Sequence, residues 1–134
     1  MKHFLVLWLF LFAAIIVIDL IWLSFSVPLF YKPNLGHIIE GEFNYKIALL
    51  FYFIYAFSVC YLIVFPGVVL KASRVQIFVN GFIFGFTAYA AYDLTNQATI
   101  KDWPMIVSIV DILWGASLTG IVSVIGYIVL KAFK

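Results

Sequence analysis

Charged residues are scarce in this sequence. Only 10% of its 134 residues are Asp, Glu, Lys or Arg, whereas 66% are hydrophobic. A soluble domain is usually about half apolar and about a quarter charged, and a water-soluble fold of this size has no interior large enough for the excess. The shortage of charge therefore excludes an ordinary soluble domain and indicates a protein whose solvent is the lipid bilayer.

Cysteine and net charge are also low, and each shortage removes a class of function. The single cysteine, Cys60, excludes an intramolecular disulfide. A formal net charge of +2 is too small for a nucleic-acid-binding surface, so no nucleic-acid partner is expected. The sequence also lacks the Gly-x-Ser-x-Gly, His-Glu-x-x-His and Cys–His patterns of familiar enzymes. It leaves any cofactor or metal unspecified.

Long apolar runs, by contrast, are abundant. About 20 helical residues cross the hydrocarbon core of a bilayer, and four runs reach that length, at roughly 4–27, 45–65, 75–98 and 103–130. Pro28 and Pro33 are expected to end the first span, and Pro66 the second. The short links predict antiparallel neighbours. The predicted fold is an all-α membrane protein, a single-domain antiparallel bundle of four transmembrane helices.

The distribution of charge predicts the orientation of this bundle. One end has only cations, and the other has cations and anions in equal number. The first set is Lys2, Lys71, Arg74, Lys131 and Lys134, and the second is Lys32, Lys46, Lys101, Glu40, Glu42 and Asp102. Cationic loops stay in the cytoplasm. Both termini are therefore expected to be cytoplasmic, and the loop at 31–44 is expected to face outward.

The remaining acids, Asp19, Asp93 and Asp111, all fall inside predicted spans. A charge near the bilayer centre costs at least about 2.5 kcal/mol, so such residues usually face the interior of a bundle. At about 1.5 Å per residue, all three lie roughly 8–12 Å from the outer ends of their helices, although the helices run in different directions. Tyr52 and Tyr55 of the second span have a similar depth. We therefore predict one polar layer to which all four helices contribute.

Helical periodicity adds further residues to this layer. Tyr89, Asp93 and Asn96 share one stripe with Gly81 and Gly85, a pair of small residues that allows another helix to approach closely. This stripe is expected to face the interior of the bundle. The same glycines also suit pairing between two chains, so a homodimer stays open as an alternative.

An Asp-x-x-Trp pattern occurs twice, as Asp19–Trp22 in the first span and Asp111–Trp114 in the fourth. Residues three apart lie on adjacent turns, so each indole N–H is expected to reach the carboxylate of its own pair. The two spans run in opposite directions, which fits an inverted repeat of the kind found in transporters. Two such short matches also arise by chance.

Several motifs together resemble a known family. They are Asp19-x-x-Trp22, Leu35-Gly36-His37, Tyr52, Tyr92-Asp93-Leu94-Thr95-Asn96, Ala98-Thr99, Trp103-Pro104 and Asp111-x-x-Trp114-Gly115. These motifs are similar to a bacterial family of predicted inner-membrane proteins catalogued as domain of unknown function 2177, and the resemblance covers nearly the whole chain. It implies a multi-pass protein of the bacterial inner membrane with four spans, and it supplies no established activity.

Three functions are open for the aspartate layer. A structural role would hold the helices together through hydrogen bonds that average about 0.6 kcal/mol in membranes. A binding or transport role would use a cavity on the outer side for a proton, a cation or a small solute, because three close carboxylates cannot all ionise in a low dielectric. An enzymatic or accessory role would act on lipids or acyl chains, with His37, Glu40 and Glu42 as acid–base groups.

We favour binding as the function of this layer, with the lipid bilayer and a lipid, cation or small solute as the expected partners. The predicted ligand-binding residues are Asp19, Trp22, His37, Tyr52, Tyr55, Tyr89, Asp93, Asn96, Asp111 and Trp114.

Overall fold

The computed structural model describes residues 2–39 and 41–133. Over these residues the chain forms four long helices and no strand. The helices are α1 (Lys2–Leu35), α2 (Tyr45–Val69), α3 (Arg74–Thr99) and α4 (Met105–Ala132). Each is long and apolar enough to cross a membrane. The all-α class with four membrane-spanning helices is confirmed, whereas the orientation stays a prediction. Glu40 and Lys134, which entered the charge argument, lie outside the described residues.

The helix α1 continues beyond the end that its prolines predict. Pro33 has no N–H to donate, and its ring would crowd the carbonyl group of Leu29, four residues earlier, in a regular α-helix. The structure resolves this conflict with a π-helical segment at Val27–Tyr31, just before Pro33, in which the N–H of Lys32 bonds to the carbonyl of Val27. The wider turn lets the helix continue to Leu35, so α1 reaches further over the bundle than a helix ending at residue 27 would.

The helix α2 treats its proline in the same way. A π-helical segment at Cys60–Val64 comes just before Pro66, and the N–H of Phe65 bonds to the carbonyl of Cys60. The helix then continues to Val69 instead of ending at residue 65. In both helices the extra residue of the π-helical turn leaves room for a proline, which has no N–H to donate. The presence of proline in the sequence does not by itself decide whether the helix ends there.

The helices α3 and α4 form the closest pair in the bundle, and small side chains make this possible. A Cβ atom placed on Gly81 would lie 2.8 Å from the carbonyl oxygen of Thr119, and one on Gly85 would overlap the carbonyl oxygen of Gly115. The backbones therefore meet with no room for a larger residue. The small-residue stripe of α3 is occupied by α4 of the same chain.

The two ends of the bundle differ. The end with the chain termini and the 70–73 link, here called the closed half, has an apolar core. Its fully buried members, each at most 1% exposed, are Leu7, Leu11, Ile15, Ala56, Val59, Cys60, Val64, Ile77, Leu118, Val122 and Leu130. The hydroxyl of Tyr127 also donates to the carbonyl of Ala72 at 2.6 Å, which ties α4 to the 70–73 link. The opposite end, with the 36–44 and 100–104 links, is here called the open half.

Candidate functional site

A cavity of about 730 Å³ occupies the open half, and all four helices contribute to its wall. Most of the lining side chains are aliphatic or aromatic. The polar and aromatic members are Asp19, Trp22, Tyr31, Asn44, Phe43, Phe51, Tyr52, Tyr89, Tyr92, Asp93, Trp103, Asp111 and Trp114. The structure therefore brings the three aspartates of the spans to one cavity.

Asp19 is fully engaged in hydrogen bonds between helices. Its side chain is 7% exposed. The hydroxyl of Tyr52 in α2 donates to Oδ2 of Asp19, and the indole Nε1 of Trp114 in α4 donates to Oδ1 at 2.9 Å. One carboxyl group thus joins α1, α2 and α4 at the inner end of the cavity. Since both of its oxygens have donors, this aspartate fits a structural role.

Asp111 is half-buried and has one hydrogen-bond donor among the described residues. The hydroxyl of Tyr31 donates to Oδ1 of Asp111 at 2.6 Å, and the indole Nε1 of Trp22 donates to the Tyr31 hydroxyl at 3.4 Å. The rings of Trp22 and Trp114 stack with their centroids 4.4 Å apart and an interplanar angle of 11°. This chain of contacts holds the last turns of α1 against α4.

The two Asp-x-x-Trp pairs do not close on themselves as the sequence predicted. Trp114 bonds to Asp19 of the other helix instead of to Asp111, and Trp22 bonds to Tyr31 instead of to Asp19. The prediction was wrong about the partners. The two indoles stack on each other between α1 and α4, and this position brings the N–H of Trp114 to the carboxyl of the facing helix and that of Trp22 to the Tyr31 hydroxyl of its own helix.

Asp93 differs from the other two aspartates. It has no solvent exposure, and neither of its carboxyl oxygens accepts a hydrogen bond from any residue that the structure describes. Its carboxyl lies against that of Asp111, to which it can hydrogen-bond only when the two share a proton, and the phenol of Tyr92 also lies within electrostatic range. Two carboxyl groups from α3 and α4 thus lie together at the cavity wall, and one of them has no donor.

The surroundings of Asp93 explain why no donor reaches it. The indole Nε1 of Trp103 donates to Oγ of Ser108 at 3.1 Å. The Ser108 hydroxyl is directed to Oε1 of Gln97 at 3.0 Å and, more weakly, to the backbone carbonyl of Asp93 at 3.4 Å. These polar groups satisfy one another, so none of them donates to the carboxyl of Asp93, a residue that belongs to the lining of the cavity.

A comparison with protein families adds an identity to this geometry. The family model described as a predicted membrane protein (DUF2177) matches residues 4–128. The chain belongs to this family. It is therefore a membrane protein with four candidate spans, and the family that its motifs indicated is the one that matches. No curated protein and no solved structure matches the chain.

Three of the predicted site residues in this DUF2177 chain lie away from the cavity wall. Tyr55 is buried beneath the cavity, with its hydroxyl 2.6 Å from Oγ1 of Thr119. Asn96 is half-buried on α3 and does not line the cavity. His37 is exposed and also outside the lining, as is Glu42, and Glu40 lies outside the described residues. The other seven residues of the predicted set line the cavity.

The predicted site set omits Tyr31, Tyr92 and Trp103, which also line the cavity, although Tyr92 and Trp103 belong to the motifs that carry the family resemblance. Tyr31 follows Pro28, so it was assigned to a loop, and only the π-helical segment places it over the bundle. Trp103 was assigned to the start of the fourth span, but α4 begins at Met105, and the indole folds back from the link. The place of Trp103 in the Trp103-Pro104 motif of the family resemblance is the sequence signal that points to it.

The donor set argues against a tightly chelated metal ion. Among the described residues, no three His, Cys, Asp or Glu side chains converge in a group that could hold one. Oxygen-ligated cations such as Ca²⁺ take about six to eight ligands, and the Asp93–Asp111 pair offers far fewer. What the site presents is a pair of carboxyl groups within aromatic and aliphatic walls.

Proposed function

We propose that this protein binds a small organic cation that has an apolar body, with the carboxyl pair of Asp93 and Asp111 as its counter-charge. The observation that carries the proposal is the state of Asp93, a carboxyl group with no exposure and no hydrogen-bond donor among the described residues. Because Asp93 belongs to the lining of the cavity, a ligand bound there can supply the missing partner.

Burial of a carboxyl group without a partner is costly, which makes a purely structural role for Asp93 unattractive. A buried polar group without a hydrogen bond costs roughly 1–3 kcal/mol in proteins, and an isolated charge costs more. Asp19 avoids this cost through Tyr52 and Trp114, whereas Asp93 does not. A bound cation would offset it for both Asp93 and Asp111.

The walls of the cavity favour an organic cation over a metal ion or a bare proton. Faces of tryptophan and tyrosine rings attract cations, and these interactions strengthen when water is excluded. The lining includes Trp22, Trp103, Trp114, Tyr31, Tyr52 and Tyr89. A volume near 730 Å³ lies within the range of about 300–1,000 Å³ typical of small-molecule sites. A solute with several carbon atoms fits this space, whereas a lone ion leaves most of it empty.

The membrane placement is part of the proposal. The excess of Lys and Arg near both chain ends and in the 70–73 link supports cytoplasmic termini in the bacterial inner membrane. The open half, and with it the cavity, would then be on the outer side. In this placement the protein takes its ligand from the outer leaflet or the adjoining water.

The enzymatic alternative receives no support from the position of His37. Acid–base catalysis needs the catalytic group within hydrogen-bond reach of the reacting atoms, and His37 is exposed and outside the lining of the cavity. We therefore base the functional assignment on binding alone.

The tryptophans of the chain provide a direct test. Three of the four line the cavity, and the fourth, Trp8, donates to the carbonyl of Phe53 away from it. Trp8→Phe therefore leaves only cavity reporters. Pyridinium ions quench indole fluorescence, so N-butylpyridinium added to the W8F protein in lipid nanodiscs should quench it saturably.

Removing a carboxyl group then distinguishes quenching by bound probe from quenching by probe that collides with the indoles without binding. In the W8F background, Asp93→Asn or Asp111→Asn should weaken saturable quenching by at least about 30-fold, because one member of a buried charge pair is lost. Glu42→Gln, which removes an exposed acid outside the cavity, is the matched control. Circular dichroism checks that each variant keeps its helices. Quenching that never saturates, or that is the same in all four proteins, would refute the proposal.

A further inference from the structure

The rim of the cavity is apolar and exposed. Six large hydrophobic residues line the cavity and are themselves 42–77% exposed, namely Val27, Ile39, Phe43, Ile47, Phe51 and Tyr92. Ile47 and Phe51 belong to the first half of α2, and Val27 belongs to the π-helical segment of α1. The cavity therefore reaches the outer surface of the bundle beside the first half of α2.

This surface belongs to a helix that spans the bilayer, so the exposed residues contact lipid chains instead of water. The helix α2 is apolar along its length, and Ile47 and Phe51 are 63% and 47% exposed. The segment from Tyr45 to Tyr52 covers about 10 Å of depth at 1.5 Å per residue, which brings the opening down to the level of the Asp19–Tyr52 bond. The opening is thus a lateral one, toward the hydrocarbon.

The charge in the cavity is all of one sign. The charged members of its described lining are Asp19, Asp93 and Asp111, and no Lys or Arg is among them. A ligand that fits this arrangement has an apolar tail at the rim and a positive head at the carboxyl pair. A hydrophilic cation arriving from water would have to cross the apolar rim without compensation, whereas an amphiphile already dissolved in the bilayer would not.

We infer that the ligand of the cavity is a cationic amphiphile with a single alkyl chain, which reaches the Asp93–Asp111 pair from the lipid through the opening beside α2. This inference rests on the proposed binding of an organic cation and adds the chemical class of that cation and its route. The tail lies along Ile47 and Phe51 and extends into the bilayer, while the head lies between the two carboxyl groups.

The test compares a short and a long probe in the same assay. N-butylpyridinium and N-dodecylpyridinium are titrated into nanodiscs of phosphatidylcholine that contain the W8F protein. The amount of bound probe is measured as the saturable part of the quenching, which Asp93→Asn should remove. The partition of each probe between water and the nanodisc lipid is measured separately, and its concentration is then expressed per lipid. The long probe should bind at least about tenfold more tightly on this scale, because its tail fills the rim along Ile47 and Phe51, whereas the butyl chain leaves these side chains without packing partners.

A matched pair of rim variants locates the tail. Ile47→Gln places a polar group at the rim, and Leu50→Gln places the same group on a residue of α2 that is 53% exposed but does not line the cavity. Both add one amide to the lipid-facing surface, so any general effect on insertion is shared. Ile47→Gln should weaken binding of N-dodecylpyridinium about fivefold and leave N-butylpyridinium unchanged, and Leu50→Gln should change neither.

The outcomes distinguish this inference from the proposed function. If both probes bind with equal affinity and both rim variants behave alike, cation binding stands but lateral entry of an amphiphile is refuted. If neither probe quenches saturably, or if Asp93→Asn has no effect, the proposed function fails and the inference fails with it. A loss of N-dodecylpyridinium binding that is restricted to Ile47→Gln supports both.

Discussion

The closed and open halves of this bundle are built from the same four helices, yet they are packed on different principles. In the closed half, the side chains of all four helices interlock, and residues such as Leu11 and Val64 have no exposure. In the open half, hydrogen bonds from Tyr31, Tyr52 and Trp114 cross a cavity of about 730 Å³. Dense packing at one end allows the other end to keep a cavity.

The comparison also separates two uses of polar residues in a membrane. Asp19 lies where the two halves meet, and its two oxygens have donors from α2 and α4. Asp93 lies at the cavity wall without a donor from the described residues. The first arrangement stabilises the bundle, and the second makes a site available for a ligand at a cost in stability.

The largest effect is expected where α3 and α4 touch, because that contact supports both halves. Gly85→Leu would drive a side chain into the carbonyl oxygen of Gly115 and should lower the free energy of unfolding by about 3 kcal/mol or more. Ala91→Leu, at an exposed position of the same helix, should have little effect. Unfolding by SDS titration measures both, and equal stability of the two variants would contradict the described contact.

The two halves should respond differently to the loss of a leucine. Leu11→Ala removes a fully buried side chain that packs against Gly126 and should cost about 2 kcal/mol, at the low end of the range for cores. Leu23→Ala, on the same helix but at the cavity wall, should cost less than about 1 kcal/mol, because its side chain already has fewer neighbours. If SDS titration gives similar losses of unfolding free energy for the two variants, Leu23 is packed as tightly as Leu11 and the described cavity is contradicted.

The two aspartates should respond to the same substitution with opposite sign. Asp19→Leu leaves the hydroxyl of Tyr52 and the indole of Trp114 without an acceptor and should lower stability by about 1–2 kcal/mol. Asp93→Leu removes an unpartnered carboxyl and should raise stability by about 1 kcal/mol in the absence of ligand. Thermal unfolding of ligand-free protein tests the contrast, which fails if both variants are destabilised alike.

The smallest expected effect concerns the last turns of α1. Tyr31→Phe removes the hydrogen bond to Asp111 and should cost about 0.6 kcal/mol, the average for such bonds in membranes. Amide hydrogen exchange should increase locally over Val27–Leu35. Tyr61→Phe, at an exposed tyrosine of the closed half, is the control. Unchanged exchange in the Tyr31 variant would show that other contacts hold this segment.

Much of the scaffold follows from consecutive residues. Span length and hydropathy are local properties, so the four helices and the lipid solvent can be predicted from the runs themselves. The start of α2 at Tyr45 was predicted at the residue where it occurs. The ends of α1 and α2 were not, because whether a proline ends a helix or is accommodated by a π-helical segment depends on the packing around it.

The candidate site shows the same division. A charged side chain is costly in a bilayer, so the sequence alone predicts that Asp19, Asp93 and Asp111 lie in the interior of the bundle. The pairing of Trp114 with Asp19 joins residues 95 positions apart, and no local pattern selects between that acceptor and the nearer Asp111.

By itself, then, the sequence determined the solvent, the four helices and the three acids that must avoid lipid, because these depend on composition and depth. Only the tertiary structure decided which carboxyl groups receive donors, that Asp93 receives none, and that the cavity opens beside α2. Those outcomes depend on how helices that are distant in the chain pack against one another, because hydrogen bonds between helices and the cavity form only where helices are in contact.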